Sequence, residues 1–194
     1  MIPTPWGYDI DAQSIPDIMT VSDFNQITGN KYAGNASIEP AIKAAQDAIR
    51  NYCGWHVSPS LKCSFTDDSL PKKRVIQLPA THVTSVTSVT VGNENVTFRA
   101  KQNGLVRTDY PMTQDEWQDA TIVYQAGLDS CAVVKDLIVH RVVHALAVPA
   151  GVQSETAGGV SITYTASWTS NNRATNLPDD NLTVLSPYRA RAVV

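Results

Sequence analysis

Apolar residues repeat at helical spacing in three stretches of the chain. Val21, Phe24 and Ile27 follow one another at intervals of three, and the preceding Thr20 is a residue type that commonly caps the first turn of a helix. Two longer stretches repeat apolar side chains at intervals of three and four. The spacing predicts helices at about residues 21–28, 37–53 and 131–148.

Alternation of apolar and polar residues, typical of strands, dominates the region between the second and third predicted helices. Leu61–Phe65 alternates with a period of two, and Thr121–Tyr124 is another short segment of strand-forming residues before Gly127. The chain contains 21 Val, 12 Ile and 18 Thr but only 10 Leu, which favours sheet. We therefore predict a β-rich insertion of about five or six short strands at residues 55–127, and a further strand at about 160–165.

Neither end of the chain shows a sustained period. Prolines at positions 3, 5 and 16 interrupt residues 1–19, which predicts an irregular N-terminal arm. Residues 168–194 are largely polar and end in a basic and aromatic tail, so we expect an extended C-terminal arm. The predicted fold class is α+β, with a helical core and the β-rich insertion forming one domain at residues 20–167.

Composition and charge narrow the possible functions. With 194 residues and 43% hydrophobic content, the chain is globular and not wholly disordered. The net charge of −3 disfavours a free-standing nucleic-acid-binding protein, since phosphate binding needs a basic excess. The one basic triplet, at residues 72–74, is interpreted as a solvated loop, with a DNA-backbone contact as the minority alternative. Charged and histidine residues interrupt the longest apolar run, at 132–148, so we expect no membrane segment.

The three cysteines, Cys53, Cys63 and Cys131, do not form a metal or disulfide pattern. Their number is odd and no two are spaced as a CxxC pair. They predict buried, reduced thiols in a protein made in a cytosol, with a redox pair of Cys53 and Cys63 as the alternative. No secretion signal is visible at the N-terminus.

His140 and His144 lie four residues apart on the third predicted helix, a spacing that can bring two imidazoles to one metal ion. The segment between them lacks the glutamate of the metalloprotease pattern, and Arg141 opposes a cation there. We therefore predict no catalytic residue, no metal site and no cofactor, and we keep a small metal-dependent hydrolase as a less favoured alternative.

Several junction sequences carry a resemblance to a known family. The second predicted helix runs into Tyr-Cys-Gly-Trp-His-Val at residues 52–57, and Leu-Pro-Ala-Thr-His-Val-Thr-Ser-Val follows at 78–86. The β region closes at residues 123–128 before the long helix, and Pro-Tyr-Arg lies at 187–189. Over residues 20–190 the chain resembles the head–tail connector, or adaptor, proteins of long-tailed double-stranded DNA bacteriophages.

The resemblance implies a structural virion protein and not an enzyme. Such proteins form a homo-oligomeric ring, commonly of twelve subunits, beneath the portal at the head–tail junction. They extend the channel through which double-stranded DNA passes without sequence-specific binding, and they offer a surface to the stopper or another neck or tail protein. The chain would then be made in the host bacterial cytoplasm and act in the virion, without contact with a membrane.

We expect the C-terminal segment to dock on the portal, because tyrosine and arginine are favoured anchors of protein interfaces. The candidate interface residues are Leu182, Leu185, Tyr188, Arg189 and Arg191.

A β-rich binding module of a virion or cell surface is the alternative from a different class. Its stacking surfaces would come from the four tryptophans, Trp6, Trp55, Trp117 and Trp168, although tryptophans scattered at junctions more often serve in packing. Ring formation distinguishes the adaptor from such a module, and metal content distinguishes the hydrolase from both.

Overall fold

The computed structural model describes residues 1–67, 75–92, 94–109, 119–147 and 183–190, together with the backbone of residues 154–157 and 160–163. The contacts group the chain into two compact units. The first contains residues 1–16, 53–130 and 188–194, and the second contains residues 17–52 and 131–187.

The three predicted helices are present, with ends within one residue of the predictions. They are α1 (Val21–Ile27), α2 (Ile38–Cys53) and α3 (Ala132–Ala147). At the start of α1, the Thr20 hydroxyl accepts a hydrogen bond from the Asp23 backbone at 3.1 Å. The Asp23 carboxylate accepts one in return from the Thr20 backbone at 3.1 Å, which lowers the pKa of that carboxyl.

In the second unit, α2 buries one apolar face and a glutamine. The Gln46 side-chain oxygen accepts hydrogen bonds from the backbone N–H groups of Ile18 and Met19, the latter at 3.0 Å. Its amide nitrogen donates to Asp17 at 3.1 Å. The segment before α1 is therefore fixed to α2 by a buried polar group whose hydrogen-bonding atoms are satisfied.

The described residues contain eleven strands, numbered in chain order. They are β1 (Ile2–Pro3), β2 (Asp9–Ile10), β3 (Leu61–Asp67), β4 (Val75–Gln77), β5 (Val83–Val91), β6 (Glu94–Asn95), β7 (Phe98–Ala100), β8 (Leu105–Thr108), β9 (Ala120–Ala126), β10 (Ser154–Ala157) and β11 (Val160–Thr163). All paired strands are antiparallel. The first unit holds a six-stranded sheet, ordered β1-β2-β3-β9-β5-β6, and a three-stranded sheet, ordered β4-β8-β7. In the second unit, β10 pairs with β11.

The central strand β9 shows how the sheet buries one face. Ala120, Ile122, Tyr124 and Ala126 are fully buried, and the residues between them are only partly buried. A strand was predicted here from its strand-forming residues, and the alternating burial shows which of them face the core.

Two expectations differ from the structure. Residues 55–127 contain seven described strands instead of five or six, because two-residue strands such as β6 are too short to show a period. The irregular N-terminal arm predicted at residues 1–19 instead contributes β1 and β2 to the large sheet. Tyr8, Ile10, Ile18 and Met19 within it are buried.

The predicted strand at 160–165 corresponds to β11, and residues 164 and 165 lie outside the described residues. Of the predicted C-terminal arm, residues 183–190 are described, and they include a 3-10 helix at Ser186–Tyr188.

Candidate assembly interface

The C-terminal segment combines a buried anchor with an exposed charge. Leu185 has no exposed surface, Tyr188 is half-buried and Arg189 is exposed. The segment thus contains one fully buried apolar residue and one exposed charged residue.

The C-terminal segment rests on the junction between α2 and the β region, and we call the residues there that bind its backbone, Cys53, Trp55 and Thr81, its seat. The Trp55 indole N–H donates a 2.6 Å hydrogen bond to the Tyr188 carbonyl oxygen, and the Thr81 hydroxyl donates a longer one of 3.5 Å to the same atom. The Ala190 N–H donates to the Cys53 carbonyl oxygen at 2.7 Å. The backbone is thus fixed on both sides of Arg189.

Gly54 allows the chain to turn at this seat. Its φ of +75° is a conformation that residues with a β-carbon rarely adopt, and a β-carbon there would lie 3.7 Å from the Ala190 side chain. The Cys-Gly-Trp sequence that contributed to the family resemblance therefore forms the surface on which the C-terminal segment rests.

The thiol at the seat is protonated at neutral pH. Burial raises the pKa of Cys53 to about 12, and the nearby Arg189 charge opposes part of that rise. A buried, protonated thiol of this kind serves as a small apolar group in packing. All three cysteines are free and buried.

The candidate interface residues differ in how accessible they are. Tyr188 and Arg189 reach the surface, whereas the side chain of Leu185 is buried inside the chain and anchors the segment. Expecting Leu185 as a surface contact therefore conflicts with its burial in this conformation. Leu182 and Arg191 lie outside the described residues.

A second buried cluster supports the seat from the N-terminal side. The Tyr8 hydroxyl lies 2.7 Å from His56 Nδ1 and accepts a 3.0 Å hydrogen bond from the His56 backbone N–H. His56 Nε2 lies 3.0 Å from the Ala126 carbonyl oxygen, which can only accept, so Nε2 carries the proton and Nδ1 accepts from Tyr8. The residue next to Trp55 is thereby fixed to β9 and to the N-terminal segment.

Sequence reasoning did not identify the partners of the C-terminal segment. Trp55 and Tyr188 are 133 positions apart, and Tyr8 and His56 are 48 apart. A single sequence carries no signal for such distant pairs. The one available clue was that Trp55 and His56 stand at the helix–strand junction.

Where the structure describes them, the residues of the two alternative hypotheses do not come together in one site. His140 Nε2 lies 3.6 Å from Asp136, and both side chains are strongly exposed. Within the described part of the chain, no three metal-ligating side chains come together. Trp55 is fully buried, so it offers no stacking surface, and Trp6 is half-buried against Tyr8. Trp117 and Trp168 lie outside the described residues.

None of the described helices has the length and apolar character needed to span a bilayer. A comparison with curated proteins finds no significant match. The family model described as "Head completion protein" matches residues 17–191, which includes both α2 and the C-terminal segment that rests on the α2 junction. From this match over most of its length, the chain belongs to the head completion protein family.

Proposed function

We propose that this chain is a head–tail adaptor that forms a ring beneath the portal and joins the capsid vertex to the neck or tail. Family membership gives it a structural role associated with the phage head and favours that role over catalysis. The ring, commonly of twelve subunits in the adaptors that it resembles, extends the DNA channel and offers its other surface to the stopper or another neck protein.

The observation that carries the proposal is the C-terminal segment held at the α2 junction. Trp55 and Cys53 fix the backbone around Arg189, so binding at this cation orders its side chain but little of the backbone. Arginine and tyrosine side chains presented in this way are favoured anchors of protein interfaces. We assign Leu182, Tyr188, Arg189 and Arg191 to the portal contact, and Leu185 is the internal anchor of the segment.

The charge of the chain suits the wall of a DNA channel. With a net charge of −3, a ring of many copies carries a large negative charge, which repels phosphate and lets DNA pass without being held.

The test is the mass of the particle formed when the purified chain is mixed with purified portal, with the chain alone as the control. A stoichiometric ring on the portal supports the adaptor function. A chain that stays unbound under all conditions contradicts it and makes the β-rich binding module the leading hypothesis.

The portal contact is tested by Arg189→Glu. This substitution reverses an exposed charge, and portal binding should weaken by about tenfold or more in a variant whose unfolding midpoint is close to that of the wild type. Lys43→Glu, an exposed site on α2, is the matched control for net charge. Truncation at Pro178 is a harsher test because it also removes the buried Leu185 anchor. Normal portal binding by both Arg189→Glu and the truncated chain would exclude the C-terminal segment as the docking element.

A further inference from the structure

The three-stranded sheet places two arginines directly opposite each other. Arg99 on β7 is the register partner of Arg107 on β8, and Arg107 is also the partner of Val75 on β4. Directly opposed residues on antiparallel strands have β-carbons about 4.5–5.5 Å apart on one face of the sheet. All three side chains are exposed, and the exposed Lys101 follows Arg99 by two residues. We call Arg99, Lys101 and Arg107 the arginine face.

The arginine face is electrostatically unfavourable in the isolated chain. Like charges directly opposite each other destabilise an antiparallel pair. Among the described residues, neither Arg99 nor Arg107 forms an ion pair with a carboxylate. Asp109 follows Arg107 by two residues and is exposed, but it forms no ion pair with either arginine. An anionic partner would therefore relieve a repulsion that no carboxylate of the described residues compensates.

A matching pair of carboxylates lies on β2 and just after it. Asp9 and Asp11 are both exposed, and the residue between them, Ile10, is fully buried. Because side chains alternate along an extended segment, the two carboxylates share the outward side. Asp11 lies 3.8 Å from the exposed Lys62, and Asp9 forms no ion pair among the described residues. We call Asp9 and Asp11 the aspartate pair.

The two charged surfaces belong to different sheets of one unit. The strand β2 is next to one edge of the six-stranded sheet, and β6 forms the other edge. The chain passes from β6 directly into β7, and the Val83 N–H donates to the Gln102 carbonyl oxygen at 2.9 Å, which ties the arginine face to β5. Two strands, β3 and β9, separate β2 from β5. A ring requires two different, complementary surfaces of this kind on each subunit, because a head-to-tail contact joins unlike patches.

We propose that the arginine face of one copy of this chain binds the aspartate pair of the next copy. This inference rests on the proposed ring and assigns the surfaces that close it. Two guanidinium groups facing two carboxylates permit the bidentate geometry that arginine forms with carboxylates.

The composition of the face favours a protein carboxylate over a DNA phosphate. Val75, in the same cross-strand row, is 47% exposed, and Leu105 beside it is half-buried, so the face offers apolar contact that a phosphate backbone does not use. Three cations contact few phosphates, and the net charge of −3 opposes DNA binding.

Charge reversal tests the contact. The first variant carries Arg99→Glu and Arg107→Glu, and the second carries Asp9→Lys and Asp11→Lys. Each keeps like charges at the positions that it changes, so each should fold as the wild type does. Each variant alone should lower the association constant between neighbouring copies of the chain on portal by about tenfold or more, because two attractive arginine–aspartate pairs become repulsive. Lys31→Glu with Lys43→Glu, two exposed sites in the second unit, gives the same net charge as the first variant and should leave assembly unchanged.

The decisive step is to mix the two variants. In the mixture, the glutamates of the first variant face the lysines of the second, and the native arginines of the second face the native aspartates of the first. Assembly should return, with the two variants in equal amounts and alternating. Native mass spectrometry reads the composition directly.

The outcomes separate this contact from the proposed ring. If the wild type forms rings and either charge-reversed variant forms them equally well, the proposed contact is wrong while the adaptor function stands. A wild-type chain that never assembles, alone or on portal, would overturn both. If the arginine variant assembles normally but loses salt-dependent binding to duplex DNA, the face serves a polyanion and the proposed contact is wrong.

Discussion

The hydrogen bond from Trp55 to the C-terminal segment makes a quantitative prediction. Trp55→Phe removes the indole N–H that lies 2.6 Å from the Tyr188 carbonyl oxygen. Loss of a buried hydrogen bond costs about 1–3 kcal/mol when the partner remains buried. Because this hydrogen bond is only partly buried and the carbonyl keeps its 3.5 Å contact with Thr81, we expect the lower part of that range, about 1–2 kcal/mol. This free energy corresponds to a roughly 5–30-fold increase in detachment of the segment.

Limited trypsin digestion measures that detachment, because a protease must pull the chain around Arg189 away from its seat before it cleaves there. At low protease concentration, the cleavage rate follows the equilibrium population of the open form. Mass spectrometry should show cleavage after Arg189 about 5–30 times faster in Trp55→Phe than in the wild type. Cleavage after Arg99, within the three-stranded sheet, reports opening of the sheet and corrects for general destabilisation.

Thr81→Val is the matched control for the same carbonyl. It removes only the long 3.5 Å contact, so cleavage after Arg189 should rise by about twofold or less. Equal cleavage rates for Trp55→Phe and Thr81→Val would refute the conclusion that the indole holds the C-terminal segment.

Three further predictions concern stability. Tyr8→Phe removes both hydrogen bonds between the Tyr8 hydroxyl and His56 and should lower the free energy of unfolding by roughly 1–3 kcal/mol in urea denaturation. An unchanged urea midpoint would contradict these hydrogen bonds. Burial raises the pKa of the Cys53 and Cys63 thiols from 9.0 to about 12. As the pH rises, these thiols therefore ionise in the unfolded chain before they ionise in the folded one. The free energy of unfolding should be highest below about pH 9 and should fall by about 1 kcal/mol per pH unit per thiol up to about pH 12. Either cysteine-to-alanine variant should show a smaller slope. Gly127→Ala should cost about 2–4 kcal/mol in thermal denaturation because φ is +125° and a β-carbon would overlap the neighbouring backbone, whereas Gly34→Ala, at φ +83° with open space around it, should cost about 1 kcal/mol.

The sequence alone determined the helices, because the signals for a helix are local. The start of α1 depends on Thr20 and Asp23, which are three residues apart, and the faces of α2 and α3 repeat within each turn. The strand β3 was also recognisable, since Leu61–Phe65 alternates with a period of two. Local patterns and the family resemblance together were sufficient to indicate a phage head protein.

The tertiary structure decided everything that depends on pairs distant in the sequence. The N-terminal strands β1 and β2 have two residues each, so only their pairing with β3 makes them strands. The seat of Tyr188 on Trp55 spans 133 positions. Nothing in the sequence places Arg99 opposite Arg107, because register is set by the turn and the buried face together. A single sequence records which residues are present and how they repeat, whereas the surfaces that the folded chain offers to partners depend on strand order and register.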